Sequence, residues 1–377
     1  MIAEVYPLKR LPRKIAFFDY IAPDELKLQR GSLVQIPYRS KKIWGIVKRV
    51  KDKPPRGITL KNVLEVYENF KLREEELSFF EWLAQDLAQS PASILYAAVP
   101  RPPKRSSTKH QAISWLPLTL PASEKDHLIR IVSQLGDRAK AFVQIPDIRR
   151  TTAVIMGYLN KNPDQKTLIL APTVRDVELI RSRLTGVEPT VITGEETNNE
   201  RFKRWSSFRV KESGVLLGTR TAALCVDQSI TSIFVARSSD RNYKSHERNP
   251  RYDARSIVWQ LHSRFSANLF LFDVYPSPQV THRFPDTELL AWGASAPVNV
   301  IDIHRERPAN ASNSLTHSAV QLIEEVLSTD GRVLCVHNRK GMASALRCTD
   351  CATTITCPAC STVQVAQTHT LECPRRI

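Results

Sequence analysis

Two closely spaced cysteine pairs, Cys348-Thr-Asp-Cys351 and Cys357-Pro-Ala-Cys360, stand near the end of the chain, and Cys373 follows. Two residues between thiols let both sulfurs turn toward one tetrahedral ion, so each pair has the form of a zinc knuckle. Cysteines also serve as small core residues, and a dithiol can do redox work. Tandem pairing argues against the first alternative. The lack of a strand-to-helix setting argues against the second. The pattern predicts metal, without saying what the metal serves.

The rest of the chemistry is basic. The chain of 377 residues carries 54 Lys/Arg against 38 Asp/Glu, a formal charge of +16. Residues 1–50 hold 11 of the cations and 4 of the acids, 11 − 4 = +7. Such an excess points to a polyanionic partner, nucleic acid ahead of membrane because no basic amphipathic anchor stands out. Solubility alone accounts for part of it. No apolar run approaches the roughly 20 residues of a membrane span, and no signal-type segment opens the chain. The length leaves room for two or three domains, and thiols reserved for metal fit a reducing interior.

Short apolar runs at Ala3–Tyr6, Phe17–Ala22, Ser32–Tyr38 and Ile43–Val50, separated by turn-rich stretches, predict a small β domain with basic loops. Lys71–Ser90 has Leu77, Phe80, Leu83, Ala84 and Leu87 at helical spacing. Arg101–Lys109 has the composition of a linker. Beyond it, apolar strands at Ala141–Ile145, Lys166–Ala171, Pro189–Ile192, Gly214–Gly218, Ile230–Ala236 and Asn268–Asp273 alternate with helical stretches such as Thr151–Leu159 and Arg175–Leu184. That rhythm predicts a parallel sheet covered by helices on both faces. A helix at Thr316–Leu327 and a strand at Arg332–His337 lead to the cysteines, and no internal repeat is evident.

Several landmarks occur in the order of one family. Phe18-Asp19-Tyr20-Ile21-Ala22-Pro23, Gly31–Tyr38 and Trp44-Gly45-Ile46-Val47 come first. Leu217-Gly218-Thr219-Arg220-Thr221-Ala222, Tyr243-Lys244, Arg251-Tyr252-Asp253-Ala254-Arg255 and His337–Ala343 follow. Together they resemble the first 60% or so of the PriA (primosomal protein N′) family, bacterial replication-restart helicases of superfamily 2. The resemblance implies an α/β protein: a mostly-β 3′-end DNA-binding domain at 1–103, a linker at 104–120, and a RecA-like lobe at 121–305. The start of a second-lobe region at 306–347 and a partial zinc-binding module at 348–377 complete it. It further implies DNA forks and 3′ ends as ligands, primosome proteins as partners, and a cytoplasmic, nucleoid-associated location. Residues 106–136 are too few for the winged-helix domain that family members usually carry.

Carried over position by position, the family's 3′-end pocket falls on Phe18, Asp19 and Lys61, with Arg39 where the family has a loop glycine. An aromatic face, a carboxylate and an ammonium suit a terminal nucleotide. Phe18 as core and Asp19 as a turn cap is the bland alternative.

The nucleotide motifs depart from the pattern. In Ile145–Thr152 the loop's first and last glycines are Ile145 and Arg150, the lysine is Thr151, and Thr152 alone matches. The acidic box reads Ala236-Arg237-Ser238-Ser239, and the G-S-A-T-P motif falls on Phe272–Pro276, keeping one proline. ATP and Mg²⁺ are therefore not expected as cofactors, and Arg149, Arg150 and Arg237 are read as phosphate-binding or solvated groups. The family's paired zinc sites would use Cys348 and Cys351 as half of one set. Cys357, Cys360 and Cys373, with His369 as a substitute fourth ligand, would hold about one Zn²⁺. The ending fits either a natural short form or a disturbed reading frame. The expected function is DNA-binding replication restart without ATP hydrolysis. The alternatives are a working 3′→5′ helicase or a fragment of one, and a zinc-organised interaction module.

Overall fold

The computed structural model describes residues 1–52, 59–102, 117–246, 249–284, 289–293, 299–302, 305–306, 315–336, 347–348, 350–366 and 371–372. They form two compact units, Met1–Ser295 and Ala296–Ile377.

β-Branched and aromatic runs build the first sheet from β1 (Ile2–Pro7), β2 (Phe18–Ile21), β3 (Ser32–Tyr38), β4 (Lys41–Lys51) and β5 (Glu65–Lys71). The order is β2-β1-β4-β3-β5, antiparallel throughout. Ala3, Val5, Tyr20, Val34 and Ile36 fill one core. Tyr6, Leu33, Ile46 and Phe70 face another, shared with α1 (Glu74–Asp86) and α2 (Pro91–Ala98). Gly31, at φ +85°, opens β3 where an added Cβ would lie 2.0 Å from the Leu72 carbonyl oxygen, so this position admits only glycine.

The expected helix Lys71–Ser90 is shorter than its apolar spacing suggested. Lys71 is the last residue of β5, and Arg73 is still extended. At the other end Ala88 adopts φ +52°, and Ser90 caps a new helix with Pro91 at its first position.

The second sheet is parallel, in the order β12-β6-β11-β10-β7-β9-β8. Its elements follow α3 (Lys125–Gly136) as β6 (Lys140–Gln144), α4 (Ile148–Lys161), β7 (Lys166–Leu170), α5 (Val174–Arg181), β8 (Thr190–Ile192) and α6 (Asn198–Val210). Next come β9 (Gly214–Gly218), β10 (Ser232–Val235), α7 (Ala254–Phe265), β11 (Asn268–Asp273), α8 (Pro278–Arg283) and β12 (Leu289–Ala291). Successive strand residues face opposite ways. Val143, Ile169, Leu217, Phe234 and Phe270 therefore pack under α3, α4 and α5, while Leu168, Leu216, Ile233 and Leu269 pack under α6 and α7. Helices on both faces of a parallel sheet make this a RecA-like lobe.

The two sheets share one unit because the second core runs into the first. Phe70 lies 5.4 Å from both Phe202 and Trp205 of α6, and Tyr67 meets Phe202 edge-on at 5.4 Å. Ion pairs cross beside these rings. Glu76, fully buried on α1, accepts from Arg209 Nη1 at 3.0 Å and Nη2 at 2.7 Å, and from the Gln228 and Arg73 amides. Asp227 accepts from Lys166 at 3.0 Å, with both side chains out of water, and pairs with Arg73 at 3.4 Å. The linker 104–120 falls mostly outside the described residues.

In the second unit α9 (His317–Ser328) forms as expected, capped by Thr316. The strand expected at Arg332–His337 is absent from residues 332–336, which pair with nothing in a ladder, while His337 lies outside the described residues. A parallel strand needs a neighbour, and its β-branched composition alone does not supply one. A short antiparallel pair, β13 (Val365–Ala366) and β14 (Leu371–Glu372), lies beyond the cysteine pairs.

Candidate nucleic-acid interface

β2 is an edge strand that carries Phe18 and Asp19 to opposite faces. Phe18 is half-buried, and its ring meets Tyr38 edge-on at 5.8 Å. Tyr38 also receives Lys9, 4.6 Å from the ring centre, and Arg39 at 5.9 Å. One tyrosine thus gathers Phe18 and Arg39 into an aromatic and cationic cluster at the β3–β4 turn. The outer edge of β2 is joined by the segment holding Lys61: Ile21 N–H donates to the Lys61 carbonyl at 2.9 Å, and Val63 N–H to Ile21 at 2.9 Å. The Lys61 side chain is exposed beside the pair.

Asp19 is a strand residue rather than a turn cap. Its Oδ1 lies 3.0 Å from Lys51 Nζ, and that ammonium also donates to Glu4 at 2.9 Å. Glu4, 1% exposed, stands opposite Asp19 and Arg49 in the ladder and additionally accepts from Lys48 and Arg49. Burial would push its carboxyl up, but hydrogen bonds from Arg49, Lys48 and Lys51 outweigh burial and hold it at about 2. A buried acid therefore fixes a row of cations beside Asp19. Neither Glu4, Lys51 nor Tyr38 was identified as a site residue from sequence. The signal available was an acid in β1 facing a Lys/Arg-rich β4.

Arg39 takes φ +53°, the left-handed region in which a Cβ is strained. That backbone conformation suits a glycine, and the arginine adds a cation there. Arg39→Gly is expected to raise stability by up to about 1 kcal/mol, read as a higher thermal midpoint. A lower midpoint would show that the Tyr38 contact matters more.

In the lobe, the loop from β6 to α4 is where a phosphate-binding turn would lie. Asp147 caps α4, its Oδ1 accepting from the Arg150 amide at 2.8 Å. The Arg150 guanidinium pairs with Asp147 and with Glu124, 2.7 Å from Nε to Oε2. This pairing raises the arginine and lowers Glu124. Thr151 and Thr152 are buried and donate to the Asp147 and Ile148 carbonyls at 2.9 and 2.7 Å. Both hydroxyls are thereby turned onto the helix. The positive end of α4 already holds an anion, and it belongs to the chain itself.

Past β10, Ala236 is fully buried and its amide donates to the Leu170 carbonyl. Arg237, at φ +49°, reaches Asp176 at 3.2 Å and Asp240 at 3.3 Å. Asp240 also accepts from the Asn242 amide, and Asp273 accepts from Ser239 and from the Val274 amide. A cation thus stands just past β10, and the nearby carboxylates have partners. Arg149 is exposed.

The cysteine pairs share one local geometry. Cys348 N–H donates to Thr353 and Cys357 N–H to Thr362, each at 2.8 Å. Ala352 and Ser361 both turn left-handed, at φ 59° and 57°. Bridges Arg347↔Thr354 and Thr356↔Val363 close each loop. This is a nine-residue structural repeat that residue identity concealed. Cys351 Sγ lies 3.2 Å from Thr353 Oγ1, and hydrogen bonds from Thr353, then Cys348, draw the Cys351 thiol down to about 7. The donor chemistry suits Zn²⁺. Among the described residues, however, no three metal-ligating side chains come together, so each loop offers one pair of thiols. Cys373 and His369 lie outside the described residues.

No described helix is long and apolar enough to cross a membrane. Residues 11–100 match the family model described as the 3′DNA-binding domain of PriA. The chain is 22% identical to the replication restart protein PriA of Rickettsia conorii, over 99% of this chain and 58% of that protein. It is 24% identical to that of Rickettsia felis, over 96% and 58%. It thus spans under three-fifths of the length of these relatives. Domain 2 of the DEAD-box helicase Mss116p, solved bound to an RNA duplex, aligns with 39% of this chain and 68% of its own at 15% identity and a TM-score of 0.24. Over most of its length the chain is thus similar to PriA, and its front matches the model of that family's 3′ DNA-binding domain.

Proposed function

We propose that the chain acts in replication restart by gripping DNA forks and free 3′ ends, and that it does so without hydrolysing ATP. In this reading the ligand is DNA, held at the Phe18, Tyr38, Arg39, Asp19 and Lys61 edge, and other primosome proteins are the partners. Zinc at Cys348 and Cys351, and at Cys357 and Cys360, would brace the tail, each pair supplying half a tetrahedral set. Support for the grip comes from the 3′ DNA-binding domain and from cations pinned beside Asp19 by Glu4.

The observation that carries the non-hydrolysing half is Asp147 on the α4 terminus, tied to Arg150 and Glu124. With Arg237 paired to Asp176 where the resemblance would put an acid, the described residues of these loops offer no evident phosphate cradle, which supports this reading. Purified protein is expected to prefer a forked duplex ending in 3′-OH over one ending in 3′-phosphate, with the preference lost in Asp19→Ala. Its affinity should fall steeply with salt as counterions are released. DNA should not stimulate phosphate release from ATP. DNA-stimulated release above background would restore the helicase reading, and an unchanged end preference in Asp19→Ala would refute the pocket.

A further inference from the structure

Cations of the antiparallel sheet gather at one of its ends. There β1 and β3 begin and β2, β4 and β5 finish, as the pairs Glu4↔Asp19, Glu4↔Arg49 and Ser32↔Lys71 fix. Lys51, Arg49 and Lys48 stand on β4. Arg30 precedes β3 and donates to the Lys48 carbonyl at 2.8 Å, while Lys71 ends β5 with Arg73 just past it. Four steps between neighbouring strands, each about 4.8 Å, spread this row over roughly 20 Å. It starts beside Asp19, 3.0 Å from Lys51, and finishes at the seam with the parallel sheet, where Arg73 meets Asp227 at 3.4 Å.

Two open hollows lie along the row and meet at Arg30. Lys48, Arg49 and Glu81 line one, of about 440 Å³; Gln29, Lys71, Arg73 and Glu74 line the other, of about 360 Å³. Their linings set five cations against two acids. The acids that hold the row lie underneath it. Glu4 and Asp227 are each 1% exposed, whereas the Arg49 and Arg73 side chains stay 60% and 44% exposed. An acid buried below a cation fixes its stem and leaves its outer donors to solvent. Lys71 is exposed, and its ammonium donates to a neutral group, the Gln29 side-chain oxygen, at 2.5 Å. Of the two lining acids, Glu81 is taken by Arg30 and by the Tyr6 hydroxyl, both at 2.8 Å. Glu74 is 77% exposed, 3.9 Å from Arg30.

We infer that this row carries the phosphodiester backbone of a DNA strand, leading it from the 3′ end at Asp19 across the sheet to Lys71 and Arg73 at the seam. The inference rests on the DNA reading above and deepens it, because it gives the strand behind the terminal nucleotide a path. Repeated phosphates call for a line of separated donors rather than one enclosed pocket, and open hollows between pinned cations supply that. Contacts of this kind fix position and register without reading sequence. An acidic protein segment also presents repeated anions. Nucleic acid is favoured because the row from Arg30 to Arg73 falls within the residues that match the 3′ DNA-binding domain. Glu74 is the exposed acid that a strand on this path must pass.

The test uses the full chain and a forked duplex whose 3′-ending strand carries one neutral methylphosphonate at successive internal positions. Binding is expected to weaken about threefold or more at some of these positions. Lys71→Gln should abolish that penalty at one of them and lower the slope of log affinity against log salt by about 0.7 to 0.9, the share of a single phosphate. Lys71→Arg should restore both. Glu74→Gln should act in the opposite sense and tighten binding about twofold, a gain that a damaged fold does not produce. The ratio of 3′-OH to 3′-phosphate affinity reads the end pocket separately. Internal methylphosphonates without effect, or an unchanged salt slope in Lys71→Gln, would overturn the path. Binding of a poly-glutamate peptide that is lost in Lys71→Gln while DNA affinity holds would overturn it in favour of an acidic protein. A missing 3′-OH preference beside an intact methylphosphonate response would count against the end pocket and uphold the backbone path.

Discussion

Glu76→Ala is expected to destabilise the Met1–Ser295 unit by about 3–5 kcal/mol, the usual cost of stranding the partner of a buried ion pair. Glu76 is wholly buried and holds Arg209 through two hydrogen bonds. Arg209 in turn lies over Phe70 and Trp205, at 5.4 and 5.6 Å. Without the carboxylate, a guanidinium remains in a low-dielectric seam, and the Arg73 and Gln228 amides lose their acceptor. The seam joins the two sheets, so the loss should also divide one unfolding transition into two. Urea titration followed by fluorescence and by circular dichroism reads both effects. Glu76→Gln keeps the shape and should cost less. If both variants melt within about 0.5 kcal/mol of the parent, the seam is held by its rings alone.

The second large effect is acid sensitivity at Glu4. Its carboxyl sits at about 2 in the folded chain, against roughly 4.3 in an unfolded one. A depressed acid favours the folded state fully above the unfolded value, and that contribution fades as pH falls toward the folded value. The window is therefore pH 4.5 down to 2, and about 3 kcal/mol is at stake. Glu4→Gln should lose that stability at pH 7 and show a flatter profile across the window. A parent and variant that lose stability in parallel between pH 4.5 and 2 would refute this account of the cation row.

Much of the architecture could be read from the chain because strand formation here follows local composition. The runs that became β6, β7, β9 and β11 are apolar on both faces, as a strand covered on both sides must be. β5 was hidden because Glu65-Val-Tyr-Glu-Asn-Phe-Lys alternates weakly, with charges that suit a helix equally well. The site divided in the same way. Phe18, Asp19, Arg39 and Lys61 could be marked only by carrying a family's pattern over position by position. Their organisers, Tyr38, Lys51 and Glu4, act through contacts between strands distant in sequence. The Glu76–Arg209 bond spans 133 positions and leaves no local trace at all. Arg150 could be recognised as a departure from a phosphate loop, but its pairing with Glu124, 26 residues earlier, needed the fold.

Asp147 has one further consequence. A side chain fastened beside the amides it satisfies behaves as a tethered competitor, present at a local concentration set by the polypeptide rather than by the solution. Any phosphate arriving from outside must displace it and also detach Arg150 from Glu124. A lysine placed at position 151 would thus leave the resident carboxylate in possession of the helix end. Clearing that occupant comes first for any phosphate that is to dock there.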